Sequence, residues 1–118
     1  MVEDFFQVTP IGQANVVTLR LPPSTDSNEF DRLNEEMLVV FGSRPQAQWV
    51  LDVSGLDYMG SSALGLMVNI RQRVIKSDGR LVLCGLSPQL LRIFRTCCLE
   101  RLFDITRTRD EALKAVAG

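Results

Sequence analysis

The spacing of hydrophobic and polar positions changes several times along the chain, and each change marks an element. Phe5 to Val8 and Asn15 to Leu21 have the pattern of two short strands joined by a turn around Pro10-Ile11-Gly12. Pro22-Pro23 ends the second strand, because proline cannot donate to a ladder. Asp26, with Glu29 three residues on, makes a capping-box-like helix start. Phe30, Leu33, Met37, Val40 and Phe41 then recur at intervals of three and four, the stripe of an amphipathic helix. Gly42-Ser43-Arg44-Pro45 stops it. Trp49-Val50-Leu51-Asp52-Val53 is an apolar run broken only by Asp52, which predicts a central strand covered on both faces.

The stretch from Ser54 to Ser62 reads as a turn leading to a helix start. From Ala63 the period is helical, with Ala63, Leu66, Met67, Ile70 and Val74 facing inward. Arg71, Arg73 and Lys76 lie near the carboxyl end of that helix, where cations suit the macrodipole. Ser77-Asp78-Gly79 turns the chain into another buried strand, Arg80 to Cys84. Ser87-Pro88 is a strong start signal, Ser at the N-cap and Pro at the first helical position, for a helix running through Leu90, Leu91, Phe94 and Cys97. A short strand, Phe103 to Ile105, and a closing helix from about Thr108 through Ala112, Leu113 and Val116 complete the chain. After the opening hairpin, strands and helices alternate, which implies right-handed crossovers. The fold class is therefore α/β. The expected architecture is a mixed, mostly parallel sheet of four to five strands, an N-terminal antiparallel edge hairpin and about four helices.

Composition narrows the chemistry. The 118 residues, 46% hydrophobic and 23% charged, suit a single domain over residues 1–118. There is no histidine. That removes the imidazole base, nucleophile and metal ligand, and with them Ser-His-Asp and Cys-His catalysis within one chain. Thirteen Lys and Arg nearly balance fourteen Asp and Glu, so the positive field that nucleic acid requires is missing. The first residues are acidic, unlike a signal peptide, and no stretch approaches the roughly 20 apolar residues that span a bilayer. The chain reads as cytoplasmic, without membrane insertion. Cys84, Cys97 and Cys98 are odd in number, two of them adjacent, and read as small hydrophobes in a reduced compartment.

Three places are candidates for function. The first is the strand-loop-helix junction from Asp57 to Gly65, since loops beyond the carboxyl ends of strands are the usual functional edge of an open α/β sheet. Ser61 and Ser62 stand at or just inside a helix amino terminus there, where free N–H groups and the dipole stabilise an anion, including a phosphate on either serine. The plainer reading has Ser61 cap the helix and Ser62 fill its first turn. The stretch lacks the Gly-Lys-Ser/Thr ending of a P-loop. The second place is the carboxylates Asp26, Asp52 and Asp57, at strand ends or adjacent loops, for which turn or cap duty competes with metal binding and acid–base work. The third is the polar side of the fourth-quarter helix, with Arg92 and Arg95, for which a solvated face is the default.

Taken together these segments resemble the STAS domain, the module of bacterial anti-sigma-factor antagonists and of sulfate-transporter cytoplasmic tails. Leu51-Asp52-Val53-Ser54-Gly55-Leu56-Asp57-Tyr58-Met59-Gly60-Ser61-Ser62-Ala63-Leu64-Gly65 is similar to the family's D-L-S-G-V-x-F-I-D-S-S-G-L-G. Asp78-Gly79-Arg80-Leu81-Val82-Leu83-Cys84-Gly85-Leu86-Ser87-Pro88 resembles its G-G-x-L-x-L-x-x-x-S-P. Leu99-Glu100-Arg101-Leu102-Phe103-Asp104-Ile105 resembles its G-L-D-x-L-F-x-I. The resemblance implies a partner switch: a kinase that is also an anti-sigma factor phosphorylates the second serine of D-S-S-G, which is Ser62 here, with Ser61 the second choice. The unphosphorylated protein would bind that partner through Asp26, Asp57, Tyr58, Met59, Gly60, Ser61, Ala63 and Leu64, and the phosphorylated form would let go. The chain would be a substrate and not an enzyme, without cofactor or metal, and a homodimer is compatible with it.

Departures from the pattern are informative. The motif Asp is Gly60 and the motif Gly is Ala63. The family's G-E-L-D becomes Pro23-Ser24-Thr25-Asp26, which carries over only Asp26. Cys98 stands where the family ends its third helix with Gly, a position favouring positive φ. Gly60 removes a carboxylate beside the acceptor serine and favours a second reading, a scaffold or transport-accessory STAS subunit without a phosphoswitch. A third, a small enzyme using Asp52, Asp57 and Ser62, is disfavoured by the absent histidine and P-loop.

Overall fold

Two short strands cannot bury a core alone, and the hairpin that opens the chain is completed by everything behind it. The computed structural model describes residues 5–21 and 27–118; Pro22-Pro23 and the Asp26 helix start lie outside the described residues. Strands β1 (Phe6–Ile11) and β2 (Ala14–Leu19) pair antiparallel, Phe6 opposite Leu19 and Ile11 opposite Ala14. The turn is tighter than expected. Only Gly12 and Gln13 connect the strands, Gly12 at φ +61°, and Pro10 lies inside β1 opposite Asn15. Proline is tolerated there because β1 is an edge strand.

Helix α1 (Ser27–Gly42) follows, then β3 (Gln48–Asp52), α2 (Ser61–Lys76), β4 (Arg80–Cys84), α3 (Pro88–Thr96), a 3₁₀ turn at Leu99–Arg101, β5 (Asp104–Thr106) and α4 (Arg109–Ala117). The sheet order is β1-β2-β3-β4-β5, with β2 through β5 parallel. The expected mixed α/β sheet with one antiparallel edge is therefore the fold, with five strands and four α-helices among the described residues.

Alternation along the strands divides the core in two. Val17, Leu19, Trp49, Leu51 and Leu83 face α1, α2 and α3, while Val16, Val50, Val82 and Cys84 face Ala112 and Val116 of α4. β3 is thus buried on both faces, as its apolar run predicts. On α2 the buried side chains are Ala63, Leu66, Met67, Ile70 and Val74, the inward set the period assigns. Ser87 caps α3, its hydroxyl accepting from the Leu90 N–H at 3.1 Å, with Pro88 behind it. Cys98 has φ +58°, the left-handed backbone its position calls for. Of the three cysteines only Cys84 is buried; Cys97 and Cys98 are exposed, because α3 has ended and the chain there turns outward. All three are free thiols, in keeping with their reading as reduced residues, and only Cys84 contributes to the core.

Candidate functional site

The site begins where β3 ends. Asp52 is 6% exposed and lies on the α4 face of the sheet. Its Oδ1 accepts the Ser54 N–H at 2.9 Å, closing a turn in which the Val53 N–H also reaches the Cys84 carbonyl at 3.0 Å. Its Oδ2 accepts from Arg109 Nε at 3.2 Å and from the Arg109 terminal nitrogen at 2.8 Å, and that nitrogen also donates to the Thr18 hydroxyl. Burial alone would raise the Asp52 pKa. The Ser54 N–H and the Arg109 guanidinium outweigh it and hold the carboxyl below its ordinary value. Cys84, beside this pair, is pushed up to about 12 by burial and by the Asp52 charge, so its thiol keeps its proton. Asp52 therefore has the turn role, with an ion pair added. It lines neither hollow around Asp57, so no paired-carboxylate centre forms from the two.

From this anchor the chain runs outward and back into α2. Gly85 makes the close approach feasible, at φ +79°, with the space for a Cβ only 2.7 Å from Ser54 Cβ. Gly60 is the N-cap of α2, in extended backbone, and its carbonyl accepts the Leu64 N–H at 3.0 Å. No side chain caps this helix, which corrects the plainer reading of Ser61: Ser61 is already the first helical residue. Ser61 and Ser62 are exposed, and the first turn of α2 contains no acidic residue. Its unpaired N–H groups and dipole therefore face solvent without a compensating carboxylate of their own turn.

A cleft of about 710 Å³ opens beside the two serines, between Leu21 and Phe30 on one side and residues 55–63 on the other. A second hollow of about 500 Å³ lies between Asp57 and Tyr58 and the α3 residues Gln89, Arg92, Ile93, Thr96 and Cys97. Tyr58 is 72% exposed and lines both, so its ring is the wall between them. A Cβ at Gly60 would lie 3.8 Å from the Tyr58 ring, ordinary contact, so packing does not require glycine there.

The structure thus brings Asp57, Tyr58, Gly60, Ser61 and Ser62 to one edge. Leu64 is half-buried, and Met59 and Ala63 point into the core, where they hold the loop and helix down rather than offer a surface. Asp26 lies outside the described residues. Arg92 lines the second hollow, whereas Arg95 pairs with Glu100 at 3.4 Å. Sequence reasoning missed Leu21, Phe30 and Asn34. Asn34 lines a small hollow of about 220 Å³ with Ser62 and Asn69, and its buried Oδ1 has no hydrogen-bond partner. Position on a helix stripe gave Phe30 a core role only, and no local signal marks the other two. Among the described residues no group of three or more Cys, Asp or Glu is placed to hold a metal, and no helix is long and apolar enough to cross a membrane.

The strand order, the antiparallel opening hairpin and the loop-helix junction after β3 define a five-stranded mixed α/β domain. The chain belongs to the STAS domain family, whose model matches residues 7–112. A Bordetella bronchiseptica protein named as an anti-sigma factor antagonist, BtrV, is 30% identical over 66 residues, which are 56% of this chain and 57% of that relative's length. Among solved structures, an anti-sigma-factor antagonist (STAS) domain protein from Planctomyces limnophilus superposes with a TM-score of 0.82 at 22% identity, covering 96% of this chain and 98% of that one. The anti-sigma factor antagonist SpoIIAA in its unphosphorylated form gives 0.71 at 21% identity, covering 96% of each chain. Bacillus SpoIIAA in its phosphorylated form gives 0.62 at 21%, covering 94% of this chain and 98% of that one. The chain is thus a STAS domain similar to these anti-sigma-factor antagonists.

Proposed function

We propose that this domain is a partner-switch protein that binds an anti-sigma factor acting as a serine kinase and is released by phosphorylation of Ser62, with Ser61 the second choice. The observation that carries the reading is the start of α2: two exposed serines on its first turn, no acidic residue in that turn, and a cleft alongside. Asp57, Tyr58, Gly60 and Leu64 form the accessible part of the docking edge, supported from below by Met59 and Ala63. A phosphate there brings about two negative charges and three acceptor oxygens. It is tolerated by the helix terminus and repelled by an acidic partner surface, with Asp57 adding to the repulsion. The resemblance to SpoIIAA, whose structure exists in unphosphorylated and phosphorylated forms, supports the same scheme.

The test has two arms. Phosphopeptide mass spectrometry on the chain recovered from its native cells is expected to find phosphate at Ser62. Ser62→Asp, and not Ser62→Ala, is expected to lose binding to the anti-sigma kinase that the wild-type chain captures. If Ser62→Asp binds that kinase as tightly as wild type, the switch is wrong. The second reading, a scaffold or transport-accessory STAS subunit with no phosphoswitch, is favoured by Gly60, which takes away the family's carboxylate although a Cβ there would make only ordinary contact. It predicts an unmodified Ser62 in every growth condition.

A further inference from the structure

Charge is unevenly divided along the chain: residues 1–57 hold three Lys or Arg against nine Asp or Glu, and residues 58–118 ten against five. The sheet order carries this division to opposite edges. At the β1 edge, Phe6, Val39 and Val40 floor a hollow of about 410 Å³ rimmed by Glu35 and Glu36. Val39 is 70% exposed. At the β5 edge, a hollow of about 160 Å³ is bordered by Ile75 and Leu102, with Arg71 and Arg80 at its rim and exposed Arg101 next in sequence to Leu102. Ile75 is 51% exposed, and the Leu102 carbonyl is held by Arg71 Nε at 2.6 Å. Contrary charges lie close by as well: Asp104 lines the β5-edge hollow, and Arg32 stands three and four residues before Glu35 and Glu36 on α1.

Single exposed apolar residues are ordinary on a soluble protein. Here one sign predominates around each cluster, and the two signs are opposite. Like edges brought together would set carboxylate against carboxylate or guanidinium against guanidinium. Opposite edges set Glu35 and Glu36 against Arg80 and Arg101, with Val39 over Ile75 and Leu102. We infer that this chain associates with further copies of itself, the acidic α1 edge of one copy docking on the basic β5 edge of the next. The contact is made by side chains and not by strand addition, since Pro10 interrupts the donors of β1 and β5 has only three residues. A contact between two different patches leaves one of each free in a pair, so it adds further copies until a ring closes. The inference stands apart from the phosphoswitch, because Ser62 lines neither hollow.

Sedimentation velocity on the full chain tests it. In low salt the weight-average sedimentation coefficient is expected to rise with concentration, and in about 1 M salt, where the screening length falls to about 3 Å, to return to the monomer value. The charge reversals Glu35→Arg/Glu36→Arg and Arg80→Glu/Arg101→Glu, none at a buried position, are each expected to stay monomeric with an unchanged melting temperature. Mixed one to one, they are expected to associate again, since each restores the other's complement. A wild type that stays monomeric at every concentration overturns the inference and leaves these edges to another occupant. Association of either variant alone, or failure of the mixture to associate, overturns it as well.

Discussion

Gly85→Ala separates two demands that the end of β4 makes on one residue. The backbone there has φ +79°, which costs an L residue about 1–2 kcal/mol. The added methyl would also meet Ser54 Cβ at 2.7 Å and Asp52 Oδ1 at 3.0 Å, one on each side of the turn that leads from β3 toward α2. Relieving that overlap costs about 1–3 kcal/mol more. Reduced freedom of the unfolded chain returns about 0.4–1 kcal/mol, so the net loss is about 2–4 kcal/mol. Two controls isolate the contributions. Gly12 has φ +61° and nothing within 4 Å, so Gly12→Ala carries only the backbone cost, about 1 kcal/mol after the same offset. Gly65, inside α2 with open space around it, is expected to gain about 0.5–1 kcal/mol on becoming Ala. Urea unfolding followed by Trp49 fluorescence measures all three, with unchanged m-values as the check on two-state behaviour. If Gly85→Ala loses no more than Gly12→Ala, the close approach of β4 to the Ser54 turn is not what requires glycine there.

Other consequences follow from the same contacts. Arg109→Gln leaves the nearly buried Asp52 carboxylate without its cation and, with the guanidinium partly exposed, is expected to cost about 2–3 kcal/mol in urea unfolding at neutral pH. In the wild type the lowered Asp52 pKa contributes stability that is fully present above about pH 4, the unfolded carboxyl value, and is lost as pH falls through the folded value. Arg109→Gln is therefore expected to flatten the stability profile below pH 4, and an unchanged slope refutes the pairing. A thiol-reactive dye at pH 8 is expected to label Cys97 and Cys98 promptly and Cys84 only after unfolding, because Cys84 is buried with its pKa near 12. Cys98→Gly removes left-handed strain and is expected to stabilise the fold by about 1 kcal/mol in thermal melts, with a loss of stability as the refuting result.

Local rules carried the helices. Period alone separates the buried face of α2 from its exposed one, and Ser87-Pro88 places the start of α3 because both residues act within one turn. Pro10 escaped because whether proline fits a strand depends on whether that strand is an edge, a property of the whole sheet. Ser61 was expected as a cap because the residue type is right. The extended backbone of Gly60 takes that place, and the chain is helical one residue sooner. The loop and its serines were legible through the family motif and the strand-end rule. The Asp52–Arg109 pair was not, since its members are 57 residues apart and meet only when α4 crosses the sheet. The cleft walls at Leu21 and Phe30 are products of the same long-range assembly, and Met59 and Ala63 show its converse, motif residues turned inward to brace the edge.

Tyr58, the wall between the two hollows, is also the lone tyrosine, and the lone tryptophan is Trp49, 2% exposed, with its ring centroid 4.7 Å from that of Phe41. The molecule therefore contains two optical reporters that answer different questions. Light absorbed at long ultraviolet wavelengths by the indole reads the integrity of the interior, whereas the phenol ring reads events at the rim of the loop. A bound partner that covers Tyr58 and leaves Trp49 unchanged would register as docking without remodelling, with no label attached.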